Sequence, residues 1–272
     1  MSENQGAAVP ASFAEMNPSI LMKPLLTVLL LVGALPAAEL ADPLEPFAEQ
    51  IAAIQQAIAE ADSLEGYYAT EYREAETSYW AQIPAWMEEH SETMAHTVPI
   101  LDVGCGYGTL LGLAVEIYDG EGACLDIAEY LPEALRELYS LAFYEANAEL
   151  DPITGGPYDV IIMTEVIEHF NFHPLPTLQK LHDALAPGGR LFLSTPDAAS
   201  WGRLRDFHDS LNDFPPPPQS NEPRPKTTDE HHWMYSKDEI VRVLQDSGFR
   251  VLEVEYSPGI RGRHFNIEAI RP

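Results

Sequence analysis

Val98-Pro-Ile-Leu-Asp-Val-Gly-Cys-Gly-Tyr-Gly-Thr-Leu110 runs an apolar strand straight into three alternate glycines. Val98 to Val103 reads as a buried strand, and Tyr107 to Tyr118 carries apolar residues at helical spacing, so the glycines form a strand-turn-helix elbow. Glycine at 104, 106 and 108 lets the backbone take positive φ and lets a ligand approach without meeting a Cβ. The unpaired N–H groups that open the following helix favour an anionic group such as a carboxylate or phosphate. The elbow is therefore where a cofactor is expected.

Working outward, the chain alternates strands and helices. Gly122-Ala-Cys-Leu-Asp126 reads as a short strand ending in an acid, and a helix is expected over Ala128 to Tyr139. Asp126 at that place has two readings: a carboxylate that accepts both hydrogen bonds of a ribose diol, or the N-cap of that helix. Leu141 to Ala148 reads as a third strand with Asn147 at its end, and Tyr158-Asp-Val-Ile-Ile-Met-Thr164 as a fourth that runs at once into Glu165, Glu168 and His169. A fifth strand, Arg190 to Thr195, follows the turn Pro187-Gly-Gly189. The helix Ser236 to Ser247, the strand to Tyr256 and the strand Phe265 to Ile270 complete the pattern. This order predicts an α/β fold: a Rossmann-like, doubly wound, mostly parallel seven-stranded sheet with a C-terminal antiparallel hairpin and an N-terminal helical extension.

The glycine spacing narrows the cofactor. A dinucleotide fingerprint reads G-x-G-x-x-G, whereas here the order is G-x-G-x-G and Thr109 stands where the third glycine would fall. Asp102 to Gly108, Asp-Val-Gly-Cys-Gly-Tyr-Gly, resembles motif I of the class I S-adenosylmethionine-dependent methyltransferases. Tyr158 to Phe170, with its Glu-x-x-Glu-His segment, resembles motif IV of the subgroup that includes the ubiquinone-biosynthesis O-methyltransferases. The resemblance covers about residues 98 to 271. It implies S-adenosyl-L-methionine as cofactor, with Asp102 helping to hold the methionyl ammonium end and Gly104, Cys105, Gly106 and Gly108 wrapping the molecule. Asp126 and Ile127 would lie at the ribose, Asn147 and Ala148 against the adenine, and Glu165 beside the cofactor. The implied reaction is methyl transfer to a small-molecule acceptor, with oxygen the expected acceptor atom.

Methyl transfer from a sulfonium is an in-line displacement, so the protein must align the acceptor and, for a hydroxyl, remove its proton. On a helix, Glu165, Glu168 and His169 would share one face just beyond strand four. His169 is the candidate base, with Glu165 as its catalytic partner. The same trio could also ligate a divalent ion, completed by His232 of Asp229-Glu-His-His232; no metal is the preferred reading, and the bland reading of His231 and His232 is a loop pair bonded to backbone. The Glu-x-x-Glu-His pattern with a later His also resembles the small-RNA 2′-O-methyltransferases. The alternatives are thus a metal-assisted enzyme acting on an RNA end, an NAD-binding oxidoreductase, and a noncatalytic protein that kept the fold.

Composition argues against nucleic acid. The chain has 43 acidic and 15 basic residues, four of them lysine, for a net charge of −28. No basic run exists to grip a phosphate backbone. The acid excess with few lysines reads as the surface of a protein from a high-salt cytoplasm. Cys105 and Cys124, the only cysteines, read as small buried residues in a reducing compartment.

The rest of the chain divides into segments. Residues 1–41 carry an apolar stretch: Met22-Lys23, then Leu25 to Leu35 and Pro36-Ala-Ala38 have the pattern of a signal peptide, with a core short for a membrane span. Three accounts stay open: a packed helix, a shallow anchor giving membrane association through residues 20–38, or a true signal. A cytoplasmic enzyme is the expectation. Residues 42–97 read as a helical cap, with Tyr68 and Tyr72 expected to face the site, and residues 98–272 as the methyltransferase domain. Within that domain the long loop 197–229 is a candidate lid.

Overall fold

The computed structural model describes residues 42–272 except 62–65, 203–206, 220–221 and 260–261. The apolar stretch over residues 20–38 lies outside the described residues, and among these no helix is long and apolar enough to cross a membrane.

The chain begins with helices α1 (Ala48–Ala61), α2 (Arg73–Glu76) and α3 (Ile83–Ser91), with a π-helical turn at Tyr68–Tyr72. Then come β1 (Pro99–Val103), α4 (Thr109–Tyr118), β2 (Glu121–Asp126), α5 (Glu133–Tyr139), β3 (Ala142–Glu145) and β4 (Tyr158–Thr164). They are followed by α6 (Pro174–Ala184), β5 (Leu185–Pro196), α7 (Ala198–Trp201), α8 (Lys237–Asp246), β6 (Arg250–Ser257) and β7 (His264–Ile270). The strands form one seven-stranded sheet in the order β3-β2-β1-β4-β5-β7-β6. β1 to β5 pair in parallel, and β7 inserts antiparallel between β5 and β6. The chain thus starts in the middle at β1, winds outward to β3 and returns to β4. This reversal opens a crevice at the carboxyl ends of β1 and β4, the place where open α/β sheets bind ligands.

Alternation along the central strands supplies two cores. Leu101 and Val103 of β1 with Ile161 and Met163 of β4 face one side, packed with Leu178 and Leu181 of α6 and Ile240 and Leu244 of α8. Ile100 of β1 with Val160 and Ile162 of β4 face the other, packed with Ile54 and Ile58 of α1, Met87 of α3 and Leu111 of α4. Every residue named here is buried, so central strands covered on both faces read as continuous apolar runs. α8 opens with a capping box: the Ser236 N–H donates to Glu239 Oε2 at 2.9 Å, and the Glu239 N–H donates back to Ser236 Oγ at 3.4 Å.

Three local expectations are corrected. The helix expected from Ala128 starts at Glu133, because Pro132 stands at its N-cap in extended backbone. Asp126 therefore caps no helix. The fifth strand starts earlier than Arg190, at Leu185, and its pairing with β4 shifts register between Tyr158 and Val160. Most important for the site, Glu165, Glu168 and His169 do not share an α-helical face. Glu165 has φ +55° and ends β4 in the left-handed region; only a 3-10 turn, Ile167–His169, follows, and α6 waits until Pro174.

Candidate active site

The glycine elbow turns because all three glycines take positive φ, 72°, 51° and 86° at Gly104, Gly106 and Gly108. They serve different ends. A Cβ on Gly104 would lie 2.4 Å from Val166, and one on Gly108 2.4 Å from Leu131, so these two permit close packing. A Cβ on Gly106 would meet nothing within 4 Å, because that residue faces a cavity. Asp126 braces the elbow: its carboxylate accepts from the Gly106 N–H at 3.0 Å and from the Ile127 N–H at 2.7 Å.

That cavity, about 960 Å³, lies at the carboxyl ends of the strands. Of the expected cofactor residues, Gly104, Gly106, Asp126, Ile127, Asn147, Ala148 and Glu165 line it, whereas Asp102, Cys105 and Gly108 do not. Asp102 is 2% exposed, and burial together with the Asp126 charge pushes its carboxyl well above the usual range. Its Oδ1 has no hydrogen-bond partner among the described residues. Asn147 is a turn residue as well as a wall: its side chain accepts from the Glu149 N–H at 2.8 Å.

Thr109 ties the helix behind the elbow to the cap. It is the first residue of α4, and its hydroxyl donates to Glu76 of the cap at 2.9 Å. Tyr68 and Gln55 donate to the same carboxylate oxygen, at 2.5 and 2.8 Å. The cap is thus anchored to the first turn of α4 through a buried carboxyl, which burial pushes up from the usual carboxylate range. Tyr68 is consequently a core residue, fully buried, and not the site-facing one expected; Tyr72 lines the cavity together with Tyr67 and Tyr79.

The opposite wall holds the titratable cluster. The Glu165 carboxylate accepts from Ser194 Oγ at 2.7 Å, and its other oxygen lies 2.8 Å from His264 Nδ1. Glu168 is fully buried and accepts from Thr195 Oγ1 at 2.9 Å. Burial pushes Glu165 up to about 8 and raises Glu168 well above the ordinary carboxylate range, with Glu165 adding repulsion to Glu168. Two desolvated carboxyls in contact cannot both ionise. One oxygen of Glu165 is thus hydrogen-bonded to Ser194, while His264 stands close to the other without hydrogen-bond geometry. His169 is different. Its Nδ1 lies 3.1 Å from Asp229 Oδ1, its side chain is about 26% exposed, and burial beside His231 lowers it to about 4. An imidazole so placed stays neutral at neutral pH.

Asp229 and His231 reach the cavity from the end of the long loop, as do Thr227, Thr228 and Trp201 near its start. Ligand atoms of Glu168, His169 and His231 all lie within 4.8 Å of one another. Two of the four candidate ligands are thereby corrected: Glu165 is not in the group, and His231 joins it with its ring 4.5 Å from that of His169, whereas His232 turns away to Thr228 Oγ1 at 2.9 Å and to Phe207. Adjacent residues of extended chain point to opposite sides, and sequence could not choose between them.

The cysteine expectation is also corrected. Cys105 and Cys124 form a disulfide, with Cα atoms 5.6 Å apart. The parallel register sets Asp102 beside Cys124, so the chain leaving β1 passes the buried sulfur of β2. Sequence reasoning further missed Glu76, Ser194, Thr195 and His264. Each reaches the site through pairing between elements distant in the chain, and none sits in a local motif.

A glycine elbow after β1, an acid ending β2, and a seventh strand reversed within an otherwise parallel sheet define the class I S-adenosylmethionine-dependent methyltransferase architecture. A family model described as a methyltransferase domain matches residues 50–254, and the chain belongs to that family. It is similar to the ubiquinone biosynthesis O-methyltransferase of Azotobacter vinelandii, 31% identical over 120 residues that make up 40% of this chain and 48% of that one. It is also similar to the demethylspheroidene O-methyltransferase of Rhodobacter capsulatus, 36% identical over 97 residues, 35% of this chain and 24% of that one. The chain thus spans about half or less of the length of these curated relatives. Among solved structures, the Synechocystis magnesium protoporphyrin IX methyltransferase with bound S-adenosylhomocysteine superposes with a TM-score of 0.54 at 16% identity, over 84% of this chain and 98% of that one. The Burkholderia thailandensis 1,6-didemethyltoxoflavin-N1-methyltransferase gives 0.53 at 16% identity, over 86% and 92%. These two likenesses concern the fold.

Proposed function

We propose that the chain transfers the methyl group of S-adenosylmethionine to an oxygen of a small-molecule acceptor, with His169 taking the acceptor's proton. The observation that carries this reading is the His169–Asp229 pair, at 3.1 Å, on the wall of the cavity that the glycine elbow and Asp126 also line. The Asp229 charge lies near Nδ1 without making a hydrogen bond to it, and that charge would favour a proton on Nδ1, leaving Nε2 to accept one. Asp126 would hold the ribose hydroxyls, the Asn147 and Ala148 segment would flank the adenine, and Gly106 would let the cofactor approach the backbone. The unpartnered oxygen of buried Asp102 suits a cofactor with a cationic end, since a nearby positive charge offsets the cost of that carboxylate. Glu165 would orient this wall and not act as the base. Because the reaction is a displacement, alignment of acceptor and methyl group supplies much of the rate, and the cap tyrosines with Trp201 and Asp229 of the long loop would enclose the acceptor.

The test is to incubate the protein with labelled S-adenosylmethionine and fractionated cell extract, identify what becomes labelled, and repeat with His169→Ala. Label on an oxygen, and its loss in the variant, is the expected outcome. Near-wild-type turnover by the variant would remove His169 from the chemistry, and binding of NAD in preference to S-adenosylmethionine would overturn the cofactor.

One observation favours a second reading, in which the Glu168, His169 and His231 cluster holds a divalent ion. Glu168 Oε1 is buried without a hydrogen-bond partner among the described residues, and one carboxylate with two imidazoles is a fitting donor set. Such an ion would supply a Lewis acid that eases ionisation of an acceptor hydroxyl. Metal analysis of protein purified without a histidine tag, compared with Glu168→Gln, separates the readings: stoichiometric metal in the wild type alone supports the second.

A further inference from the structure

The disulfide sits at the cofactor end of the sheet, and three consecutive residues of β2 hold the elbow there. Cys124 is bonded to Cys105. The Leu125 carbonyl accepts from the Gly104 N–H at 2.8 Å, and Asp126 Oδ2 accepts from the Gly106 N–H at 3.0 Å. Cys105 lies between two glycines at positive φ, and glycine loses more conformational freedom on ordering than any other residue. The covalent tie is therefore placed on the most entropically costly part of the cofactor loop. It is also the only one of the three that the redox state of the surroundings can open. Cys124 is fully buried in β2, whereas Cys105 belongs to the half-buried elbow, so an incoming thiolate would reach the bond from the Cys105 side as the elbow opens locally.

We propose that Cys105–Cys124 is a redox site that sets cofactor affinity: closed, it holds the elbow ready for the cofactor, and opened by a dithiol it releases the elbow and weakens binding. One thiolate of the dithiol attacks the Cys105 sulfur and breaks the S–S bond, and Cys124 leaves as a thiolate that takes up a proton. The second sulfur of the dithiol then displaces Cys105, which is likewise protonated. The dithiol ends as a disulfide, and the protein has gained two electrons and two protons. Neither cysteine lines the cavity, so the effect would run through loop order and not through lost contact. This inference rests on the reading of the elbow as the S-adenosylmethionine site.

The test is calorimetric titration of the full chain with S-adenosylhomocysteine, before and after reduction with dithiothreitol, with Cys124→Ala as a permanently open form. Reduction is expected to weaken affinity about fivefold, the scale of freeing roughly one residue of backbone, and reoxidation to restore it. Cys124→Ala should bind like the reduced wild type and ignore dithiothreitol. Equal affinity in the two redox states would overturn the proposal, as would alkylation of both cysteines in the unreduced, denatured chain. If neither form binds S-adenosylhomocysteine, the cofactor reading itself fails and takes the proposal with it, an outcome distinct from binding that ignores redox state. Should the variant fail to fold, the two states of the wild type decide the matter.

Discussion

Thr109, the first residue of α4, donates a hydrogen bond at 2.9 Å to Glu76, which belongs to the cap. Through this contact the helix behind the glycine elbow holds the helical segment that covers it. The Glu76 oxygen involved also accepts from Tyr68 and Gln55, and the residue is 4% exposed. Removing one donor from a buried carboxylate leaves it under-satisfied. Thr109→Val, close in volume, is expected to lower stability by about 1 to 3 kcal/mol, read as a shift in the urea midpoint with unchanged slope. Because the cap then seats loosely, affinity for S-adenosylhomocysteine should fall as well.

The glycines of the elbow separate folding from binding. Gly108→Ala places a Cβ 2.4 Å from Leu131 at φ +86°, so it should cost about 1 to 3 kcal/mol of stability through overpacking and strain. Gly106→Ala meets open space, and at φ +51° it should cost about 1 kcal/mol. That Cβ projects from a cavity wall, so cofactor affinity is expected to drop by more than tenfold while the fold survives, about 1.4 kcal/mol of binding. Thermal unfolding and calorimetry on both variants check the contrast.

For the chemistry, His169→Ala should lower kcat by about a hundredfold on an identified hydroxyl acceptor. The base works when unprotonated, and burial lowers His169 to about 4. Turnover attributable to it should therefore hold from neutral pH down to about 5 and fall as pH approaches 4, provided the fold is intact. The variant's residual rate should lack that acid limb. Steady-state rates across pH, with folding followed by circular dichroism, provide the measurement.

His90 should make the fold acid-sensitive. It is 8% exposed, its Nδ1 lies 3.0 Å from Tyr118 Oη, and burial lowers it to about 4. The unfolded chain takes up that proton near the ordinary histidine value of about 6.5. Between those values the unfolded state binds a proton that the native state refuses, so this contribution to stability is lost as pH falls from about 6.5 toward 4. Other groups titrate in the same window, which makes the comparison with a variant the clean one. His90→Gln cannot charge, and its denaturation midpoint should lose less than the wild type's over that interval.

The central sheet was legible because its signals are local. Val98 to Val103 and Tyr158 to Thr164 are unbroken apolar runs, Gly104 to Gly108 announces the turn between strand and helix, and Ser236 with Glu239 marks the start of α8 within four residues. The site was legible as a neighbourhood and less so in its geometry. Glu165, Glu168 and His169 have helical spacing, but left-handed backbone at Glu165 starts a turn in which the two carboxyls meet and His169 looks toward Asp229. Nothing near His264 suggests that it faces Glu165, because only the insertion of β7 beside β5 brings it there.

The sequence alone determined the class of fold, the strand-turn-helix at the glycine elbow, and the acids and imidazole that cluster beyond strand four. Each depends on backbone preferences and apolar periodicity over a few residues. Tertiary structure decided which of these groups touch: His231 and not His232 beside His169, Glu76 at the head of α4, and Cys105 bonded to Cys124. Those contacts depend on strand order, register and helix packing, which join residues far apart in the chain and are set by the folded molecule as a whole.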